Sequence, residues 1–347
     1  MNSEIKIDSS ISSVLSKINA SDSFIDALGL ILNGGSVIDF VRLNFKSDTE
    51  IDNFLRLNNF ILTEPRAYRR IYHIYNDALT YLNSMDIEIP QEFRELSDIK
   101  DLFRYASYLK GSKTFAKISC SILKVMHILH HLESRELMYR TSISIESLFS
   151  ACEEKVSRSI SELNRSGTPI YHYSTFRENI FDRITKLTAR KEIIAAQMFE
   201  KASFTIVTEK KEDVIYVLRH LISDVFPFNY VVPGYSNSNY IDLISELKNS
   251  EEYSKKYDIY QFVRDTKQSD PQSDRIYIRV DIPLDINALG INIDEETAEN
   301  LGYTIFSLTD FIITDIESQR KIERSQNNQQ NQRLLLKREA IARITKE

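Results

Sequence analysis

His172-Tyr173-Ser174-Thr175-Phe176-Arg177, then Ser203-Phe204-Thr205-Ile206-Val207-Thr208, then Tyr230-Val231-Val232-Pro233-Gly234-Tyr235: these three pieces of the stretch 171–243 decide the fold. Each is short and rich in β-branched or aromatic residues, as strands are. They are separated by helical runs, of which 212–225 places Val214, Val217, Leu218, Leu221 and Ile222 on one face. Basic groups before a strand and an aromatic on a polar loop after the next helix suit a pocket that handles nucleotides.

Working outward, Arg275-Ile276-Tyr277-Ile278-Arg279-Val280-Asp281-Ile282 alternates apolar and polar, and 303–315 reads as the last strand. Candidate strands also fall at 168–173 and 229–232, and 176–201 reads as largely helix. Strands interleaved with helices make the class α+β, a mixed sheet with flanking helices. Residues 10–163 read as mainly helical, with breaks at Gly34-Gly35, Glu64-Pro65, Ile89-Pro90 and Gly111. One segment there, 36–45, alternates well enough to predict a short strand. Ser47 is the expected N-cap of a helix over 48–58. A helix over 146–163 ends at Arg165-Ser166-Gly167-Thr168-Pro169, which sets a boundary between a helical domain, 1–166, and an α+β domain, 167–320. A polar tail comes last, 321–347, with a helix over 333–345. The Gln/Asn run 326–332 reads as a flexible join.

The chain has 347 residues, 42% hydrophobic and 27% charged, ordinary for a globular protein. Eight glycines argue against a glycine-rich phosphate loop. A net charge of −6 argues against an extended nucleic-acid partner, although one nucleotide needs only a few local cations. No long apolar run suggests a membrane span, and Met1-Asn2-Ser3-Glu4-Ile5-Lys6 lacks signal-peptide character. The expected address is cytoplasmic, with Cys120 and Cys152 as reduced, buried thiols.

The order of these pieces resembles the synthetase domain of the RelA/SpoT alarmone synthetases, of the nucleotidyltransferase superfamily. That family moves pyrophosphate from ATP to a ribose hydroxyl of GDP or GTP, mostly by positioning and by neutralising phosphate charge. The resemblance implies a purine nucleotide ligand and Mg²⁺. It places Arg177, Arg183 and Lys186 at phosphate oxygens, with 183 and 186 one helical turn apart. Surface ion pairs on a solvated helix face are the other reading of these cations. Glu200, ahead of the strand, and Asp310, on the last strand, take the acidic metal and catalytic positions. Tyr240, with Tyr235 as second choice, takes the place of the tyrosine that stacks on the base.

Several positions depart from the family pattern. Glu178 or Asn179 stands where a second cation belongs, Ser203 and Thr205 where a strand arginine belongs, Gly234 for a lysine and Ile312 for a glutamine. Two readings stay open: a divergent pyrophosphokinase or nucleotidyltransferase, and a non-catalytic regulatory protein with a protein partner. A second resemblance, carried by 124–137 and 226–234, is to a bacterial family of no assigned activity, and implies that both halves form one unit. His127, His130 and His131 share part of a helix face, a spacing seen in metal sites and more often in packed histidines.

Overall fold

The computed structural model describes Phe24, 27–29, 35–177, 180–190, 202–238, 274–325 and 327–345. Among the described residues, five helices of seven residues or more come first: α1 (Asp48–Leu57), α2 (Pro65–Ser84), α3 (Lys100–Ala106), α4 (Lys113–Arg140) and α5 (Ile145–Arg165). Next come β1 (Ile170–Arg177), α6 (Ile180–Ala189), β2 (Ala202–Thr208), α7 (Asp213–Asp224) and a two-residue β3 (Asn237–Ser238). The chain closes with β4 (Ile276–Asp285), α8 (Glu295–Leu301), β5 (Thr304–Asp315), α9 (Ile316–Ser325) and α10 (Asn327–Thr345). The class is α+β, as the interleaved pattern predicts.

Local chemistry sets the helix starts. Ser47 accepts from the Glu50 amide at the head of α1, Ser112 from Phe115 at the head of α4, and Ser144 from Ser147 at the head of α5. Pro65 opens α2, where its missing N–H is no loss. Asp294 caps α8, a short helix that its weak apolar pattern hides in the sequence. Replacing Ser47 by Ala removes one cap bond, and denaturant melts are expected to show a loss of ~1 kcal/mol. An unchanged midpoint would mean that the α1 terminus finds another acceptor.

The sheet order is β1-β2-β5-β4-β3. Only the β2–β5 pair is parallel; β1–β2, β5–β4 and β4–β3 are antiparallel. Alternation then sorts the side chains. Phe204, Ile206, Phe311, Ile313, Ile276, Ile278 and Val280 are buried on one set of positions. Ser203, Asp310, Tyr277 and Arg279 occupy the other set. Phe311 packs between Phe204 and Phe226, with ring centroids 5.4 Å from each. The buried core continues without a break from α1, α2 and α4 into the sheet, linked by Tyr230 and Phe306. Cys120 and Cys152 are both free and buried.

Three expectations are corrected. Segment 36–45 is no strand: Val37–Asp39 forms one 3-10 turn capped by Ser36. Two of its amides reach α3 and the residue after it, Leu43 to the Ala106 carbonyl and Phe45 to the Ser107 hydroxyl. Val41, Leu43 and Phe45 supply the alternation, yet Val41 is exposed while Phe45 and the out-of-phase Phe40 are buried, and no strand pairs with the segment among the described residues. Segment 229–232 is likewise a 3-10 turn, Phe228–Tyr230, and only Val231 bridges to Val280. Pro227 and Pro233 bracket it and leave no room for a ladder. β1 also runs to Arg177, through residues expected to begin a helix, because β2 offers a partner as far as Ala202. The helix expected over 176–201 is α6, and the remainder of that span, 191–201, lies outside the described residues. The polar run expected as a join is helical from Asn327. Among the described residues no helix is long and apolar enough to cross a membrane.

Candidate functional site

A cleft of about 640 Å³ opens where the C-terminal half of α4 and the first turns of α5 face the sheet. Four arginines line it: Arg135 from α4, Arg177 from the end of β1, Arg183 from α6 and Arg279 from β4. Asp281 is the only carboxylate among the described lining residues, and Nε2 of His131 approaches it to 3.2 Å. Tyr139, Phe149, Tyr235 and Phe306 add aromatic surface. Arginine side chains and aromatic rings therefore share one cleft in a chain of charge −6.

Of the residues expected from sequence, Arg177 and Arg183 meet at this cleft. The Arg177 guanidinium pairs with Glu146 and lies 5.4 Å from the Phe149 ring centroid. Lys186 lies one turn beyond Arg183 on α6, exposed, and is not among the residues lining the cleft. Glu200 and Tyr240 lie outside the described residues. Tyr235, the second choice for the stacking ring, is at the cleft, and 55% of its surface is exposed.

Asp310 is held differently from the expectation. The register sets Ser203, Asp310 and Arg279 side by side on β2, β5 and β4. Arg279 Nε donates to Asp310 Oδ1 at 2.7 Å and its Nη2 to Oδ2 at 3.1 Å, a two-point pair. Nη2 also donates to the Tyr277 hydroxyl at 2.8 Å, and the Tyr235 ring centroid lies 4.5 Å from the guanidinium carbon. Burial, together with the neighbouring Asp310 carboxylate, pushes the Tyr277 phenol well above its ordinary range. Both oxygens of Asp310 thus accept from the Arg279 guanidinium. Among the described residues no group of three or more His, Cys, Asp and Glu side chains is placed to hold a metal. As found, Asp310 is engaged by Arg279, and Glu200, its expected partner at the metal, lies outside the described residues.

Sequence reasoning sought a strand arginine at Ser203 or Thr205. The arginine is present two strands away, at 279. Its signal was a charged residue inside the cleanest alternating strand, on the same face as Tyr277 and Asp281. Arg135 was also missed, on a helix whose histidines are its more conspicuous feature.

Those histidines surround Tyr230. His130 Nδ1 lies 2.6 Å from the Tyr230 hydroxyl, His127 stacks at 4.9 Å from its ring, and His131 stands edge-on at 5.7 Å. Burial, then the charge of His131, lowers His127 to about 4, and burial holds His130 well below its usual value. Both are therefore neutral packing groups near neutral pH.

Comparison with models of known protein families gives no match, and neither does comparison with curated proteins. Among solved structures the chain is similar to small alarmone synthetase 1 from Bacillus subtilis bound to its product pppGpp. That likeness has 16% identity and a TM-score of 0.32, and covers 58% of this chain and 88% of that one. A second structure of small alarmone synthetase 1 from Bacillus subtilis gives 15% identity and a TM-score of 0.30, over 64% of this chain and 91% of the other.

Proposed function

We propose that the cleft binds a purine nucleotide, with arginines on the phosphates and Tyr235 on the base. The observation that carries this reading is the convergence of Arg135, Arg177, Arg183 and Arg279 on one cleft beside Tyr235, with Arg177 also paired to Glu146 and Arg279 to Asp310. Guanidinium forks match phosphate oxygens two at a time, and the aromatic walls give a base its stacking surface. Arg279 is held ready by Asp310 and Tyr277, so little side-chain entropy remains to be lost on binding.

In this reading Asp310 positions Arg279 and does not itself touch the ligand. That favours a nucleotide-binding protein of regulatory character over a pyrophosphoryl or nucleotidyl transferase. The transferase reading requires a carboxylate free to meet a metal. Labelled ATP with a guanosine acceptor separates the two. A product that disappears in Glu200→Gln overturns the regulatory reading, and equal background in both proteins supports it.

Binding itself is tested by thermal or denaturant melts with GTP, GDP and ATP. At a ligand concentration of about 100 Kd the fold is expected to gain ~2.7 kcal/mol. Arg183→Gln is expected to weaken affinity by about tenfold, the loss of one charge-assisted bond. No stabilisation by any nucleotide at millimolar concentration removes the proposal.

A further inference from the structure

Asp281 is the one acidic side chain among the described residues that line the arginine cleft. A carboxylate facing phosphates repels them, so its place in such a cleft has to be matched by hydrogen-bond donors on the ligand. The sheet puts it at the aromatic end. It lies two residues beyond Arg279 on β4, on the same face and ~7 Å along the strand, and the Tyr235 ring centroid is 4.5 Å from the Arg279 guanidinium carbon. Arg177, Ala202, Thr309 and Val280 form one row across β1, β2, β5 and β4. Arg177 therefore stands three strand spacings, ~14 Å, from the β4 backbone beside Asp281. The Asp281 side chain keeps 17% of its surface exposed, so a ligand in the cleft can reach it. His131 Nε2 stands 3.2 Å from its Oδ2, and among the described residues no hydrogen bond is made to Oδ1.

A nucleotide's sugar joins its base to its phosphates. With the base on Tyr235 and the phosphates running toward Arg177 and Arg183, Asp281 stands at the nucleoside end of the ligand. The donors that every purine nucleotide carries there are the ribose hydroxyls, and a carboxylate accepts from them as the acidic residue of dinucleotide-binding folds does. Resting on the nucleotide reading of the cleft, we propose that Asp281 is a specificity-determining residue for the sugar. Its Oδ1 accepts from a ribose hydroxyl, and the cleft thereby favours ribonucleotides over nucleotides that lack the 2′ and 3′ hydroxyls.

Calorimetric titration of the full chain with GTP and with 2′,3′-dideoxy-GTP provides the measurement. The dideoxy form is expected to bind about tenfold more weakly, the worth of one hydrogen bond to a charged acceptor, and ATP with its dideoxy form is expected to show the same ratio. In Asp281→Ala the ratio is expected to fall to about one. Should that variant fail to fold, Asp281→Asn, which keeps the shape and loses the charge, is expected to lower the ratio to about threefold. Equal wild-type affinity for GTP and its dideoxy form overturns the proposal and leaves the nucleotide reading standing. So does a sugar ratio that survives unchanged in either variant, and a change there confined to the preference between GTP and ATP would assign Asp281 to the base instead. No binding of any of these ligands removes the nucleotide reading itself, and this proposal with it.

Discussion

Acidifying the protein from pH 7 to pH 5 is expected to weaken its fold by ~3 kcal/mol, read from urea unfolding midpoints at the two values. The cause is the pair of histidines packed around Tyr230. Burial and the charge of His131 lower His127 to about 4. Burial, then Arg70 and the two neighbouring histidines, holds His130 well below its normal value. In the unfolded chain each takes up a proton near pH 6.5. Between there and about pH 4 the unfolded state binds protons that the folded state refuses, so stability falls as pH falls. The slope is ~1.4 kcal/mol per pH unit for each histidine.

Two groups oppose this slope. Donating a hydrogen bond to the Asp224 carboxylate raises His220, whose contribution is full below its unfolded pKa and lost as pH rises. Glu133 is raised by burial despite its Arg70 partner, so acid relieves its penalty. His220 is partly exposed and its gain correspondingly small. His127→Gln is expected to flatten the acid limb by about one proton. A wild-type protein equally stable at both pH values would show that His127 and His130 are reached by water and charged in the fold.

Replacing Arg279 by Met is expected to cost ~3–5 kcal/mol, because it strands a buried carboxylate. The Asp310 side chain is 4% exposed, and that of Arg279 is 17% exposed. The double variant Arg279→Met with Asp310→Leu is expected to recover most of the loss, since an apolar pair of similar volume replaces the ion pair without an orphan charge. Nucleotide binding should stay lost in the double variant, which separates the part of Arg279 in stability from its part in the cleft. A cost below about 1 kcal/mol for Arg279→Met would mean that Asp310 finds water or another donor, and would undo its assignment as a positioning residue.

The larger elements were legible because their causes are local. Alternation of Ile276, Ile278, Val280 and Ile282 with polar neighbours marks β4, and serine caps mark the starts of α1, α4 and α5. Where a pattern has two causes the sequence misleads. Val41, Leu43 and Phe45 alternate with polar neighbours, yet Val41 is exposed and Phe45 buried, and strand formation needs a neighbour that those ten residues cannot reveal. The arginines at 177 and 183 were visible as charges near a strand, and the structure brings both to one cleft.

Arg279 and Asp310 lie 31 positions apart and meet only because β4 and β5 pair in one particular register. A shift of a single residue would turn one of the two to the opposite face. The hydrogen bonds of the buried Asn229 amide to Asn58 and His127 are equally invisible in sequence, and they leave its Oδ1 without a hydrogen bond. Residue order alone settled the α+β class and most of the strands and helices, products of short-range periodicity and capping, while the resemblance to a known family singled out the two cleft cations. Tertiary packing decided which charges neutralise each other, which histidines lose their protons and where an acceptor is left unpaired, because such energies depend on distance and burial across separate elements.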